Sequence, residues 1–220
     1  MEVINVCALV SCIVLALSGW VYGAKFFKQK NYLLGLELWI VGFSATNFTI
    51  FIATGSEFNL GISLYLDSFS RSFGMPIIAV LGLMAVTHGY RPSAVKEVML
   101  FAAAFACTFV VFLANFLDGV RPYFYVVMWL GYSIFLCYFI CQLIRVGESL
   151  HALATAAGGV VALAVAITYD FFPIPGDDTH MIFMTWAFVT WSYGAIQIYY
   201  AYVALSRAKI SSTQSLAMAR

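Results

Sequence analysis

Long apolar runs alternate along the chain with short polar interruptions. Seven runs of about twenty residues stand out, over 3–22, 32–53, 62–87, 97–117, 123–144, 150–170 and 181–206. A helix of roughly twenty apolar residues crosses the hydrocarbon core of a bilayer. A backbone in hydrocarbon must satisfy its own hydrogen bonds, so it crosses as helices or as a closed barrel. Barrel strands are about ten residues long and alternate in polarity. These runs do neither, and the pattern predicts an all-α, polytopic membrane protein with seven transmembrane helices. The interruptions collect turn-forming residues: Arg91-Pro92, Asp118-Gly119 with Arg121-Pro122, and Pro173, Pro175 and Gly176. None is long enough to fold by itself. Residues 1–206 therefore read as one seven-helix domain, and 207–220 as a short, disordered cytoplasmic tail. The first run lacks a basic leader and a small-residue cleavage site, so it reads as a helix and not as a signal peptide.

Composition agrees with this pattern. Hydrophobic residues make up 63% of the 220 and charged residues only 10%, against about 25% charged in soluble domains. The net charge of +1 is uninformative, but its distribution is not. Lys25, Lys28, Lys30, Arg91, Lys96, Arg145, Arg207, Lys209 and Arg220 fall on one side of a seven-helix arrangement, and only Arg121 falls on the other. Basic residues in short loops stay in the cytoplasm, which places the N-terminus outside and the C-terminus inside. The outer segments are acidic, with Glu2, Glu57, Asp118, Asp170, Asp177 and Asp178. No basic tract offers a nucleic-acid surface. The five cysteines all lie within apolar runs and read as small hydrophobes.

Ionisable groups inside a membrane are costly and face protein or water, so they mark candidate sites. Three qualify: Glu37 in the second run, and Asp67 and Arg71 in the third. Asp67 and Arg71 are four apart and share a helical face. They are either a self-neutralising pair or an acid held ionised beside a cavity. By depth, Asn47, Asp67, Arg71, Tyr169 and Asp170 converge on an outward-facing cavity. Glu37 lies nearer the inner side, on the order of 10 Å from Asp67 in depth, and reads as reaching toward the Lys25–Lys30 loop. In the seventh run Trp186, Thr190, Tyr193 and Gln197 recur at i, i+4, i+7 and i+11. Such a stripe either lines a ligand site or bonds neighbouring helices. The small residues of Ala154-Thr155-Ala156-Ala157-Gly158-Gly159 predict close helix packing.

Several chemistries have no support. Every lysine is in a loop or the tail, so no Schiff base to retinal is available. His88, His151 and His180 sit at helix ends, unsuited to haem or di-iron sites. There is no HExxH, GxSxG, phosphate-binding loop or dinucleotide fingerprint. No cofactor and no metal are implied. There is no duplication of halves, and only Pro76 interrupts a helix centre, which counts against a carrier.

Two stretches resemble the small membrane-bound terpene cyclases of fungal meroterpenoid pathways, which also have seven helices. They are Gly19-Trp20-Val21 at the end of the first helix and Arg145-Val146-Gly147-Glu148-Ser149-Leu150 after the fifth. The resemblance implies an enzyme that cyclises a lipophilic isoprenoid by protonation. The family's acid on helix 2 falls near Asn47, and helix 7 has no acid from Met181 to Ser206, so its catalytic residues do not carry over.

Three readings of function stand. The first is a membrane-embedded enzyme or binder acting on a lipophilic small molecule. In it Asp67, Arg71 and Glu37 are the catalytic candidates, and Asn47, Tyr169, Asp170, Trp186, Thr190, Tyr193 and Gln197 the substrate-binding ones. The second is a transporter or channel for a small solute or proton, and the third a seven-helix sensor or accessory subunit. The partners implied are the lipid bilayer and a lipophilic small molecule, not nucleic acid.

Overall fold

The structure is a computed structural model describing residues 3–172, 174–177 and 180–218. Glu2, Pro173, Asp178 and Arg220, named above, lie outside the described residues. Among the described residues there is no strand. The long helices are α1 (Val3–Lys28), α2 (Tyr32–Thr54), α3 (Glu57–Thr87), α4 (Ala94–Leu113), α5 (Arg121–Arg145), α6 (Ser149–Phe171) and α7 (Met181–Met218). The six from α1 to α6 are long and apolar enough to cross a membrane. Helix α7 is longer still, but Thr185, Thr190, Ser192, Tyr193 and Gln197 dilute its apolar character.

The helix ends follow from local chemistry. Asn31 accepts from the Leu34 N–H and caps α2, while its amide donates to the Gly82 carbonyl of α3 at 2.8 Å. Gly55 ends α2 in the left-handed region, at φ 72°, where glycine carries no steric penalty. The chain therefore turns at once, and α3 begins at Glu57, ahead of the expected 62. Ser93 caps α4, and Pro122 sits in the first turn of α5, where its missing N–H has no helical acceptor to serve.

Two expectations about ends are corrected. Helix α1 runs through Lys28, so Lys25 and Lys28 are helical, and Lys25 lies 4.3 Å from the Tyr22 ring. Helix α7 continues to Met218, where a disordered tail was expected after Ser206. The segment contains no glycine or proline and several strong helix formers, so nothing stops the helix.

In the middle of α3, Ser70–Ala79 forms a wide, π-type helix. Pro76 lies within it. Proline has no N–H to give, and its ring crowds the carbonyl four residues earlier, so the widened turn accommodates both defects. Such turns recur at functional sites.

Packing makes a ring. In order around it, α1, α2, α3, α5, α6 and α7 are neighbours, and α7 closes back on α1; α4 lies outside, against α3. Glycines bring α1 and α2 close together. A Cβ added to Gly19 would come within 2.6 Å of the Leu38 carbonyl oxygen and the Gly42 Cα. On the outside, Leu17, Val98, Phe109, Val127, Ile134 and Val160 are exposed. Exposed apolar faces of this extent, on helices apolar all round, belong in hydrocarbon.

Gly19→Leu is expected to weaken the fold by about 1–3 kcal/mol, the usual cost of overpacking. The midpoint of thermal unfolding in detergent should fall by several degrees. Gly131→Leu, where an added Cβ meets nothing within 4 Å, should leave it unchanged. Equal midpoints for the two variants would contradict the close approach of α1 and α2.

Candidate functional site

The wide turn of α3 places Arg71 inside the bundle, only 5% exposed. Its guanidinium is ion-paired with Asp170 on α6 and lies 3.7 Å from Asp67, one turn earlier on α3. The rings of Tyr125 (α5) and Tyr169 (α6) face it, with centroids 4.1 and 4.0 Å from the guanidinium carbon. The Tyr125 hydroxyl is 2.7 Å from that of Ser68. A buried guanidinium is tolerated only when its charge is matched, and here two carboxylates and two aromatic faces match it. Three helices are thereby tied at one point.

Beside this cluster the ring encloses a cavity of about 120 Å³, several times the space one ordered water needs. Every ring helix contributes to its wall, and α4 does not. The lining is largely apolar, from Leu15 and Phe48 to Leu136 and Ile198. Into it come polar groups left unsatisfied. Glu37 is fully buried with the Ser70 hydroxyl as its polar neighbour, and neither its carboxyl oxygens nor that hydroxyl makes a well-formed hydrogen bond. The indole N–H groups of Trp129 and Trp191 are likewise unpartnered. All four residues line the same cavity. Buried polar atoms in folded proteins are almost always paired, so their convergence on one space needs a cause. Gly74 makes room for Glu37, since a Cβ there would occupy the position of the carboxylate.

The residues singled out in the sequence divide. Glu37, Asp67, Arg71, Tyr169, Thr190, Tyr193 and Gln197 all line the cavity, and Asp170 stands behind it, bound to Arg71. Glu37 does not reach for the lysine loop. It shares the buried face of α2 with Leu33, Leu34 and Leu38 and so points into the ring. Asn47 is turned elsewhere: its amide donates to the Phe43 carbonyl, and its oxygen accepts from Asn59. Trp186 is 63% exposed. At that level of α7 the inward positions are Phe183 and Ala187, packed near Val165, and one residue is about 100° round a helix. Two residues of the α7 stripe bond to α6: the Tyr193 hydroxyl donates to the Ala154 carbonyl, and Gln197 to the His151 carbonyl and the Thr155 hydroxyl. Their apolar parts face the cavity while their polar ends tie the two helices.

Sequence reasoning missed Tyr125, Trp129, Tyr132 and Trp191. A signal for the first three existed. Tyr125, Trp129, Tyr132 and Leu136 recur at i, i+4, i+7 and i+11 and form the buried face of α5. Trp191 follows Thr190 in a helix rich in aromatics, and nothing local distinguishes it. Among the described residues no group of three or more His, Cys, Asp or Glu is placed to hold a metal ion.

Arg71→Met would leave Asp67 and Asp170 facing each other without a cation. Asp67 and Asp170 keep some contact with solvent, so the cost is below the roughly 3–5 kcal/mol of breaking a fully buried pair, and the monodisperse fraction in size-exclusion chromatography should fall. Adding Asp170→Leu to that variant should restore part of it. Wild-type behaviour of Arg71→Met alone would show that the ion cluster does not hold the ring together.

No protein-family model, no curated protein and no solved structure matches the chain.

Proposed function

We propose that the protein crosses the membrane seven times, N-terminus outside and C-terminus inside, and takes a lipophilic small molecule of isoprenoid type into the chamber within its helix ring. The observation that carries this reading is the convergence of the unpartnered Glu37, Ser70, Trp129 and Trp191 groups on one apolar space. A ligand with an apolar body and a hydrogen-bonding head would satisfy them. The nine-to-one division of basic residues supports the orientation. Helix α7 is counted as a span because Thr185, Ser192, Tyr193 and Gln197 bond to α6 or to its own backbone, which lowers the cost of placing them in hydrocarbon.

The chemistry such a chamber favours is the one the cyclase resemblance implies. Glu37, which no cation among the described residues engages, is better placed as the acid than Asp67, which Arg71 engages. Its proton would add to one carbon of a double bond and leave a carbocation on the other. A second double bond would attack that carbon and close a ring, and loss of a proton to the Glu37 carboxylate would complete an isomerisation. The faces of Trp129, Tyr132 and Trp191 would stabilise the positive charge. A transporter is the second reading, favoured by one observation: α3 is interrupted where it borders the chamber, as carrier helices are at their binding sites.

Mass spectrometry of small molecules extracted from purified protein tests the proposal. Gly194 lines the chamber, and a Cβ added there meets nothing within 4 Å, so Gly194→Phe should fill it without disturbing the backbone. A lipophilic compound enriched with wild type and lost from this variant is expected. Identical extracts from the two proteins would sink the reading. Conversion of that compound in detergent to an isomer of equal mass, abolished in Glu37→Gln, identifies the enzyme; uptake into liposomes driven by a gradient identifies the carrier.

A further inference from the structure

The charges around the chamber do not balance. Glu37 and Asp67 line it, and among the described residues Arg71 is the one basic residue in its wall. Arg71 is already shared between Asp67 and Asp170. Three carboxyl groups thus stand against one guanidinium in and beside the wall, and Glu37, which is not paired with Arg71, is fully buried with the uncharged Ser70 hydroxyl as its polar neighbour. A buried carboxylate without a countercharge is among the costliest arrangements in a protein, and among the described residues no lysine or histidine borders the chamber to relieve it. The chamber's wall is also aromatic: Trp129 and Tyr132, edge to face at 5.5 Å, and Trp191, close to Phe188, all line it. Aromatic faces attract cations, most strongly where water is excluded.

We propose that the chamber recognises a lipophilic cation: an apolar chain or ring system carrying an amine, with Glu37 as its counter-ion and Trp129, Tyr132 and Trp191 as the aromatic wall around its head. The inference rests on the chamber reading above and specifies the chemistry of the ligand's head. The bound pair is one ammonium and one carboxylate. Either an ammonium enters and meets the carboxylate, or the free amine enters through the lipid and takes the proton from the Glu37 carboxyl; the product is the same. The indole N–H groups and the Ser70 hydroxyl are donors left for any acceptor the ligand carries beside its nitrogen. With a neutral ligand Glu37 would remain a protonated, uncharged carboxyl and gain no ion pair, and an anionic one would meet an excess of carboxyls.

Two probes that differ only at the head decide the matter: a fifteen-carbon isoprenoid ending in a dimethylamino group and the corresponding alcohol. Equilibrium binding is measured with the full chain in lipid nanodiscs, against empty nanodiscs. The amine is expected to bind at least about tenfold more tightly, since a charge-assisted hydrogen bond exceeds a neutral one by that much. Glu37→Gln should erase the preference, weakening the amine about tenfold more than the alcohol. Should that variant fail to accumulate, Trp129→Leu carries the same test, weakening the amine severalfold more than the alcohol. Equal affinities in the wild type, or a preference that survives both variants, would overturn the cation and leave the lipophile chamber standing. Binding of neither probe would overturn the chamber reading as well.

Discussion

A charge buried among helices that face hydrocarbon has to be answered from within the protein, and Arg71 is where this fold answers one. Its guanidinium meets carboxylates from α3 and α6 and aromatic rings from α5 and α6. Without hydrophobic pressure between helices in lipid, association depends on close packing and polar contacts. The Arg71 cluster supplies the polar contact on one side of the ring. The Gly19–Gly42 approach supplies the close packing on the other. Between them lies the chamber.

The widened turn of α3 links these features to the site. Ser70, Arg71 and Gly74 all belong to it, and Pro76 imposes it. A regular helix would rotate the residues after Ser70 differently and could not serve both needs. It must aim a long cationic side chain at α6 while presenting a bare glycine to the Glu37 carboxyl. The result is an asymmetric polar interior: Arg71 is fully engaged and Glu37 is not. In a soluble protein water would fill that difference. In a largely apolar chamber the proposed ligand would do so more completely, and the excess of carboxyls is the reason a cationic head is proposed for it.

Much of the helical architecture was legible in the sequence, because spans in hydrocarbon carry a strong length and polarity signal. The helix ends were less so. Nothing in the hydropathy of Tyr22 to Lys28 or of Arg207 to Met218 says whether a polar segment continues a helix. The convergence of Asp67, Arg71, Tyr169 and Asp170 could be read from depth alone, since antiparallel neighbours bring residues of equal depth together. Depth does not give rotation, and that is why Asn47 and Trp186 were grouped with a cavity they do not line. Rotation also hid Glu37. Its place at the inner side of α2 pointed to the lysine loop, whereas its face, shared with Leu34 and Leu38, points into the ring. The aromatic face of α5 was visible as a stripe, but only the ring closure shows what it faces.

A density map of the protein, extracted with its native lipids and resolved to side chains, tests the central claim most directly. The account predicts continuous non-protein density in the chamber, with its polar end against Glu37 and its body along Trp129 and Trp191. A chamber closed by collapsed side chains, with Glu37 hydrogen-bonded to a group of the protein itself, would contradict it.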